Sequence, residues 1–277
     1  AQSVGGNATN VAVGIRKLEL SSSIITELGD DMNGQVILAE LKRANVQTNL
    51  VRLLPGKNTR YGIILNYESE RTILSSQVER SYRLPKLPST HWIYYSSLGK
   101  SFAKLQTKLI AQIKKIDSHI AMNPGSYQLR YGLDTVRKML NYTDLLFVNK
   151  EEAELLVSKK EKQSLKKTIY ALHQRGVKQI VVTDGENGSY ASDGSHIWKM
   201  LTYPIKPKAK TGAGDAYASG FLSAIVQNKS LPEAMKWGTA NAGGAIQQFG
   251  AQHGLLTKSK LQRLIQSHSD IQPTLYT

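Results

Sequence analysis

Apolar positions along the chain follow two rhythms. Three- and four-residue spacings predict helices at about 8–18, 33–44, 101–115, 129–140, 150–157, 162–175, 213–227, 231–247 and 258–266. Short β-branched runs predict strands: SIIT at 23–26, WIYYS at 92–96, HIAMN at 119–123, LLFVN at 145–149 and QIVVT at 179–183. From residue 91 onward strand and helix alternate, which predicts right-handed crossovers and a parallel sheet. LLFV and IVV are unbroken apolar runs, as expected of strands covered on both faces. The expected fold class is therefore α/β, a three-layer α/β/α sandwich around a mostly parallel central sheet.

Residues 46–76 break this rhythm. VQTNLVRLL, RYGIILNYE and RTILSS are separated by PGKN and SE and alternate more strongly, which predicts a small β lid with one wet face. The body then comprises residues 1–45 and 77–277, and RLPKLPST at 83–90 is the loop returning from the lid. There is no internal repeat and no low-complexity segment.

Composition narrows the class without choosing a function. The 277 residues are 40% hydrophobic and 21% charged, ordinary for a globular protein. Without cysteine there is neither a disulfide framework nor a thiolate metal site. No run reaches the about 18 apolar residues of a membrane-spanning helix, and no signal peptide opens the chain, so the expected compartment is the cytoplasm. The Asn-x-Ser/Thr sequons at Asn7, Asn141, Asn187 and Asn228 are then chance occurrences. The net charge of +15 raises nucleic-acid binding, but the basic residues are scattered and no aromatic platform interleaves with them. A solvated basic surface that attracts anionic substrates is the reading preferred, and a nucleic-acid partner is not expected. His91, His119 and His173 lack ligand spacing, so no site of direct protein ligands to a metal is predicted. Trp92, Trp198 and Trp237 are expected in the core or at its edge.

Candidate chemistry gathers where strands end. NPGS, NKEE and TDGENG each follow a strand, and ligands of an open parallel sheet bind outside those carboxyl ends. TGAGD, at 211–215, places a glycine pair at the head of an apolar helix. The helix N-terminus favours an anion, and Asp215 in its first turn is either a dipole-compatible acid or a base beside bound phosphate. The Walker pattern is absent, and Tyr217 breaks the dinucleotide fingerprint. Asn149 and Glu152, three apart, suit a capping box.

TGAGDAYASGF resembles the second signature of the PfkB, or ribokinase-like, carbohydrate kinases. GGNATNVAVGIRKL at 5–18, NKEEAELL at 149–156, VVTDGENGSY at 181–190 and ANAGGAIQQFGAQ at 240–252 resemble further motifs of that family, in family order. The resemblance implies ATP-dependent phosphorylation of a primary hydroxyl on a sugar, or alternatively on a nucleoside. Asp215 would accept the hydroxyl proton, and the N–H groups of Gly212, Ala213 and Gly214 would hold the transferring phosphoryl group. Asn149 and Glu152 would organise water around Mg²⁺. Thr183, Gly185 and Gly188 would line the nucleotide cleft, although a plain strand–turn–strand is the bland alternative, and Asn241 and Ala240 would approach the adenine. Gly5, Gly6 and Asn7 would meet the acceptor, with Asn7 also a candidate helix cap. Arg60 in the lid is a candidate to reach the acceptor or its phosphate, and Asn123 to lie near the phosphates. A lid edge could also pair with a second copy in a homodimer. A basic binding protein on a degenerate kinase scaffold is the rival from another class.

Two departures from the family pattern stand out. The resemblance implies a strand with a sugar-binding acid ahead of Gly5, and such a strand is not found between Ala1 and Gly5. The reading is that it was trimmed or is disordered. The signature's leading Asp-Thr is Ala209-Lys210, and in relatives that acid helps hold an activating monovalent cation. An alanine side chain cannot ligate a cation, so independence of K⁺ is expected, with Lys210 either supplying charge near the phosphates or serving as an ordinary loop lysine.

Overall fold

The computed structural model describes residues 2–67, 70–76, 78–157 and 163–277. The amino-terminal half runs α1 (Asn7–Lys17), β1 (Thr26–Gly29), α2 (Met32–Arg43), β2 (Val51–Leu54), β3 (Gly62–Tyr67), β4 (Glu70–Ser75), β5 (Trp92–Tyr95), α3 (Phe102–Ile113), β6 (His119–Met122), α4 (Ser126–Tyr131) and α5 (Leu133–Leu140). It continues through β7 (Leu145–Asn149), α6 (Lys150–Val157), α7 (Leu165–Gln174), β8 (Gln179–Thr183), β9 (Ser189–Ser192), β10 (Ile197–Met200), α8 (Ala213–Val226), α9 (Leu231–Ala245), α10 (Lys258–Ser267) and β11 (Thr274–Leu275).

The main sheet has the order β11-β10-β9-β8-β7-β6-β5. Strands β5 to β8 are parallel and joined by helical crossovers, while β9, β10 and β11 extend the sheet antiparallel. Side-chain alternation in β7 divides the two covered faces. Leu146 and Val148 pack with Leu109, Val136, Leu156 and Ile169 on one side. Leu145 and Phe147 pack with Val11, Phe221 and Trp237 on the other. Helices on both faces make the three-layer sandwich that the unbroken apolar runs predict.

Three local differences from the sequence reading have physical causes. The helix expected over 129–140 is two helices that meet at Gly132, where α3 comes so close that a Cβ would strike the Phe102 ring. The strand expected at 23–26 lies later, at Thr26–Gly29. Ile24 N–H instead donates to Gln47 O (3.2 Å), and Ser23 makes only an isolated bridge with Gln47. Asn7 is not the cap of α1; Gly6 takes that place at φ 101°.

In the lid region β1 pairs in parallel with β2, so this pairing crosses the boundary drawn at residue 46, and β3 and β4 form an antiparallel hairpin. Asp31 anchors its base. One carboxylate oxygen caps α2 at Gly34 N–H (2.9 Å) and accepts from Thr59 Oγ1 (2.6 Å), and the other accepts from Thr59 N–H (2.8 Å). These bonds hold the Asp31 carboxyl below the usual carboxylate range, the Thr59 hydroxyl contributing most.

Candidate active site

The carboxyl ends of β5 to β8 bring Ser96, Asn123, Asn149 and Thr183 to one rim. Facing them is the head of α8, whose cap is Gly212 in the left-handed region at φ 81°. A side chain there would be strained, and its Cβ would lie 2.7 Å from the Cβ of Ala251. Gly212 is thus required by its own dihedral and by the loop packed on it. The first-turn N–H groups of a helix have no partner within it and carry the positive dipole end, so the start of α8 suits an anion, although the Ala213 N–H also donates to Lys210 O at 3.4 Å.

Asp215 is 9% exposed. Burial pushes its carboxyl up to about 6, opposed by the hydrogen bond that Asn10 Nδ2 donates to Oδ2 at 2.8 Å. Asn10 Oδ1 in turn accepts from Gln252 Nε2 at 3.0 Å. Neither Asn10 nor Gln252 was among the residues singled out from sequence. Asn10 lies one helical turn beyond Asn7, and that i, i+3 spacing is the signal that could have found it. Gln252 closes the segment quoted at 240–252, but no spacing within that segment marks its side chain.

Tyr94, near the end of β5, has a buried hydroxyl without a hydrogen-bond partner among the described residues. Burial, then the charges of Asp215 and Glu152, push its phenol well above the usual range, so it is neutral.

Asn149 and Glu152 make the capping box that their spacing predicts. Asn149 Oδ1 accepts from Glu152 N–H (2.8 Å), and Glu152 Oε2 accepts from Asn149 N–H (3.0 Å). The Glu152 carboxyl is raised, chiefly by burial. The cap fixes the carboxylate at the rim, so structural and chemical roles are compatible here. Asn123 Nδ2 is committed to Phe147 O (2.8 Å), tying β6 to β7.

Thr183 ends β8, and the chain reverses through a 3₁₀ turn, Gly185–Asn187, into β9. Gly185 and Gly188 have φ of 55° and 93°, and a Cβ at Gly188 would strike the Met200 carbonyl. Both glycines are therefore needed by the turn itself, whatever the cleft holds.

Asn241 departs from its expected role. It is fully buried; its Nδ2 donates to Ala216 O (2.9 Å) and Ser219 Oγ (3.0 Å), and its Oδ1 accepts from Leu256 N–H (2.9 Å). As placed it braces α8 against α9 and presents nothing to an adenine; its neighbour Ala240 is equally buried.

Gly5 is exposed, and Gly5 O and Gly6 O accept from Thr9 Oγ1 at 2.5 and 2.6 Å. Asn7 is the half-buried first residue of α1. Arg60 is exposed, next to the Thr59 that Asp31 locks. Lys210 Nζ pairs with Glu186 Oε1 at 2.8 Å, joining the loop before α8 to the 3₁₀ turn after β8. Both side chains are well exposed, so the pair contributes little stability. The N–H groups of Lys208 and Ala209 donate to Ile246 O at 2.8 and 3.2 Å.

The arrangement has a buried carboxylate in the first turn of a helix start suited to an anion, a second carboxylate capped at the rim that acts with it on Tyr94, and two glycine turns. It suits removal of a proton next to a phosphoryl group. Comparison with known proteins bears on which reaction. The family model for pfkB family carbohydrate kinases matches residues 1–258. A 5-dehydro-2-deoxygluconokinase of Halalkalibacterium halodurans is 26% identical over 287 aligned residues, covering 97% of this chain and 87% of the relative. A Vibrio cholerae fructokinase, solved with fructose, ADP and calcium ion bound, superposes with a TM-score of 0.82 at 21% identity, covering 95% of this chain and 92% of that one. A Methanocaldococcus jannaschii nucleoside kinase superposes at 0.84 with 23% identity, covering 97% and 88%. These two superpositions show a shared ribokinase-like fold.

Proposed function

The chain belongs to the pfkB family of carbohydrate kinases, and from that premise we propose that it transfers the γ-phosphoryl group of ATP to a primary hydroxyl of a sugar. The observation that carries the proposal is Asp215, buried in the first turn of α8 with its carboxyl raised to about 6. A carboxylate so placed is ionised at neutral pH yet basic enough to take up a proton as the acceptor oxygen bonds to phosphorus.

In this reading the acceptor hydroxyl lies against Asp215. Its oxygen attacks the γ-phosphorus, the bond from that phosphorus to the β–γ bridging oxygen breaks, and ADP leaves. The hydroxyl proton passes to Asp215. The amides at the start of α8, Gly212 to Gly214, hold the phosphoryl oxygens as charge spreads over them. Gly5, Gly6 and Asn7 border the acceptor from the start of α1, and Arg60 reaches it or its phosphate from the lid. Thr183, Gly185 and Gly188 bound the nucleotide.

Magnesium fits this site through water. Among the described residues no group of three or more metal-ligating side chains is found, while Glu152 is held at the rim with a raised, half-buried carboxyl. Mg²⁺ bound to the nucleotide would neutralise phosphate charge; Asn149 and Glu152 would order its water shell. The Ala209 side chain offers no ligand to a cation, and Ile246 O already accepts two N–H groups. We therefore expect activity without K⁺; strong activation on exchanging Na⁺ for K⁺ overturns that expectation.

The lid, residues 46–76 against a body of 1–45 and 77–277, is proposed to cover the acceptor and exclude water. Its hairpin exposes Ile63, Ile64, Leu65 and Leu74, which supports that closure and also a pairing of lids between two copies. Among the described residues no helix is long and apolar enough to cross a membrane, which supports a cytoplasmic setting.

The test is ADP release with ribose, fructose, adenosine and related acceptors. A sugar among the best acceptors supports the reading, and exclusive use of nucleosides replaces it. Salt-dependent nucleic-acid binding without any kinase activity favours the degenerate-scaffold rival.

A further inference from the structure

The Asp215–Asn10 contact raises a question of direction. A carboxamide can present either its NH₂ or its C=O to a neighbour. Beside an ionised Asp215, Asn10 presents Nδ2, since two acceptors would repel. Once Asp215 has taken up a proton the preference weakens, because a carboxylic acid O–H can itself donate to Asn10 Oδ1. Turning the amide would then be easy unless something else held it.

Gln252 is that other group. Its Nε2 donates to Asn10 Oδ1 at 3.0 Å, while Asn10 Nδ2 faces Asp215 Oδ2 at 2.8 Å. If Asn10 alone turned over, its NH₂ would meet the NH₂ of Gln252, two donors with no acceptor between them, so the two amides can only turn together. The loop carrying Gln252 is fixed from three sides. Lys17 Nζ donates to the carbonyls of Gln252 (3.3 Å) and Leu255 (3.0 Å), Ala251 packs on Gly212, and Leu256 N–H donates to Asn241 Oδ1 (2.9 Å).

We propose that Gln252 is a positioning residue for the base: it fixes which way Asn10 faces and so keeps a hydrogen-bond donor on Asp215 Oδ2 in both protonation states. The proton taken from the acceptor then resides on Oδ1, the oxygen Asn10 does not hold, and the carboxyl stays in one orientation through turnover. This rests on the reading of Asp215 as the base. Of the titratable groups around Asp215, Tyr94 on β5 faces it as a neutral phenol, and Glu152 on α6 acts on that same phenol. From α1 and the 250–256 loop it meets amides, Asn10 and behind it Gln252. Lys17 lies one layer further out, its charge turned to the loop carbonyls.

Carboxyl ¹³C NMR titration of Asp215 in the free protein, assigned by difference with Asp215→Asn, tests the proposal without an acceptor. Gln252→Leu removes the donor at similar size, and the Asp215 midpoint should rise by about half a unit or more. Gln252→Glu places an acceptor against Asn10, draws Nδ2 away from Asp215 and adds negative charge, so its midpoint should rise further. The acid limb of the kcat–pH profile should move by the same amount in each variant. An unchanged midpoint in folded Gln252→Leu overturns the proposal, whatever its turnover, since a merely structural role would alter stability or rate without moving the titration. Should Gln252→Glu not fold, the Gln252→Leu titration decides alone. Near-normal turnover by Asp215→Asn would instead overturn the assignment of the base and leave the NMR result to be read by itself.

Discussion

Helix α8 and the β3–β4 hairpin are both rich in apolar residues and treat them oppositely. In α8 every residue from Asp215 to Ala224 is buried, and Phe221, wholly buried, meets Phe147 edge-on at 5.6 Å. In the hairpin Ile63, Leu65 and Leu74 are each more than half exposed. The contrast separates two tasks. Under the proposed roles, an element that holds a carboxylate in one place is packed from all sides, whereas an element proposed to close over the acceptor keeps its apolar surface available. Substitutions in α8 should therefore act on turnover and stability, and substitutions in the hairpin on acceptor affinity.

The largest expected effect is on turnover. Asp215→Asn should lower kcat by about 10²–10⁴-fold with nucleotide binding retained, measured by ADP release and by nucleotide titration. The same variant should be the more stable protein at pH 8. Native Asp215 titrates near 6 against an ordinary 3.8, so folding favours its protonated form. Above pH 6 the native carboxylate costs up to about 3 kcal/mol, a cost that fades as pH falls through 6 and is gone below about 4. Chemical unfolding of both proteins from pH 4 to 8 would show the difference shrinking in that direction; a constant difference contradicts the burial argument.

Next in size is Phe221→Ala, which should cost about 3–5 kcal/mol of unfolding free energy through the cavity it leaves. Gly212→Ala should cost about 1–3 kcal/mol, combining a left-handed backbone with the contact on Ala251; turnover should fall with it, because the helix start must shift. At the small end, Ile63→Ser with Leu74→Ser should change stability by about 0.5 kcal/mol or less, as exposed sites usually do. Acceptor KM should rise while nucleotide KM holds. A stability loss as large as that of Phe221→Ala would mean the hairpin is packed rather than waiting, and the contrast would fail.

What could be read from the sequence divides along similar lines. Features written within one stretch were legible: the continuous runs of β7 and β8, the Asn149–Glu152 cap at a spacing of three, and the glycine-led start of α8 with its acid. Features made by distant segments were not. Gly132 breaks a helix because of Phe102, thirty residues earlier, and β1 is placed by its pairing with β2. Asn241 fits a nucleotide contact by its place in a motif, yet its amide is committed to Ala216, Ser219 and Leu256, which no local pattern discloses. Asn10 and Gln252 gain their meaning only when residues separated by 205 and 242 positions meet.

Those separations also set a timetable. Chains are synthesised at about 5–20 residues per second, so Asn10 leaves the peptidyl-transferase centre on the order of ten to fifty seconds before Gln252. The nascent protein can complete the α3–β7 crossovers long before Gln252, the last member of the Asp215–Asn10 chain, exists. Assembly of the Asp215–Asn10–Gln252 chain is therefore a late event in the life of each molecule, reached only as the carboxy-terminal segments come home to the first helix.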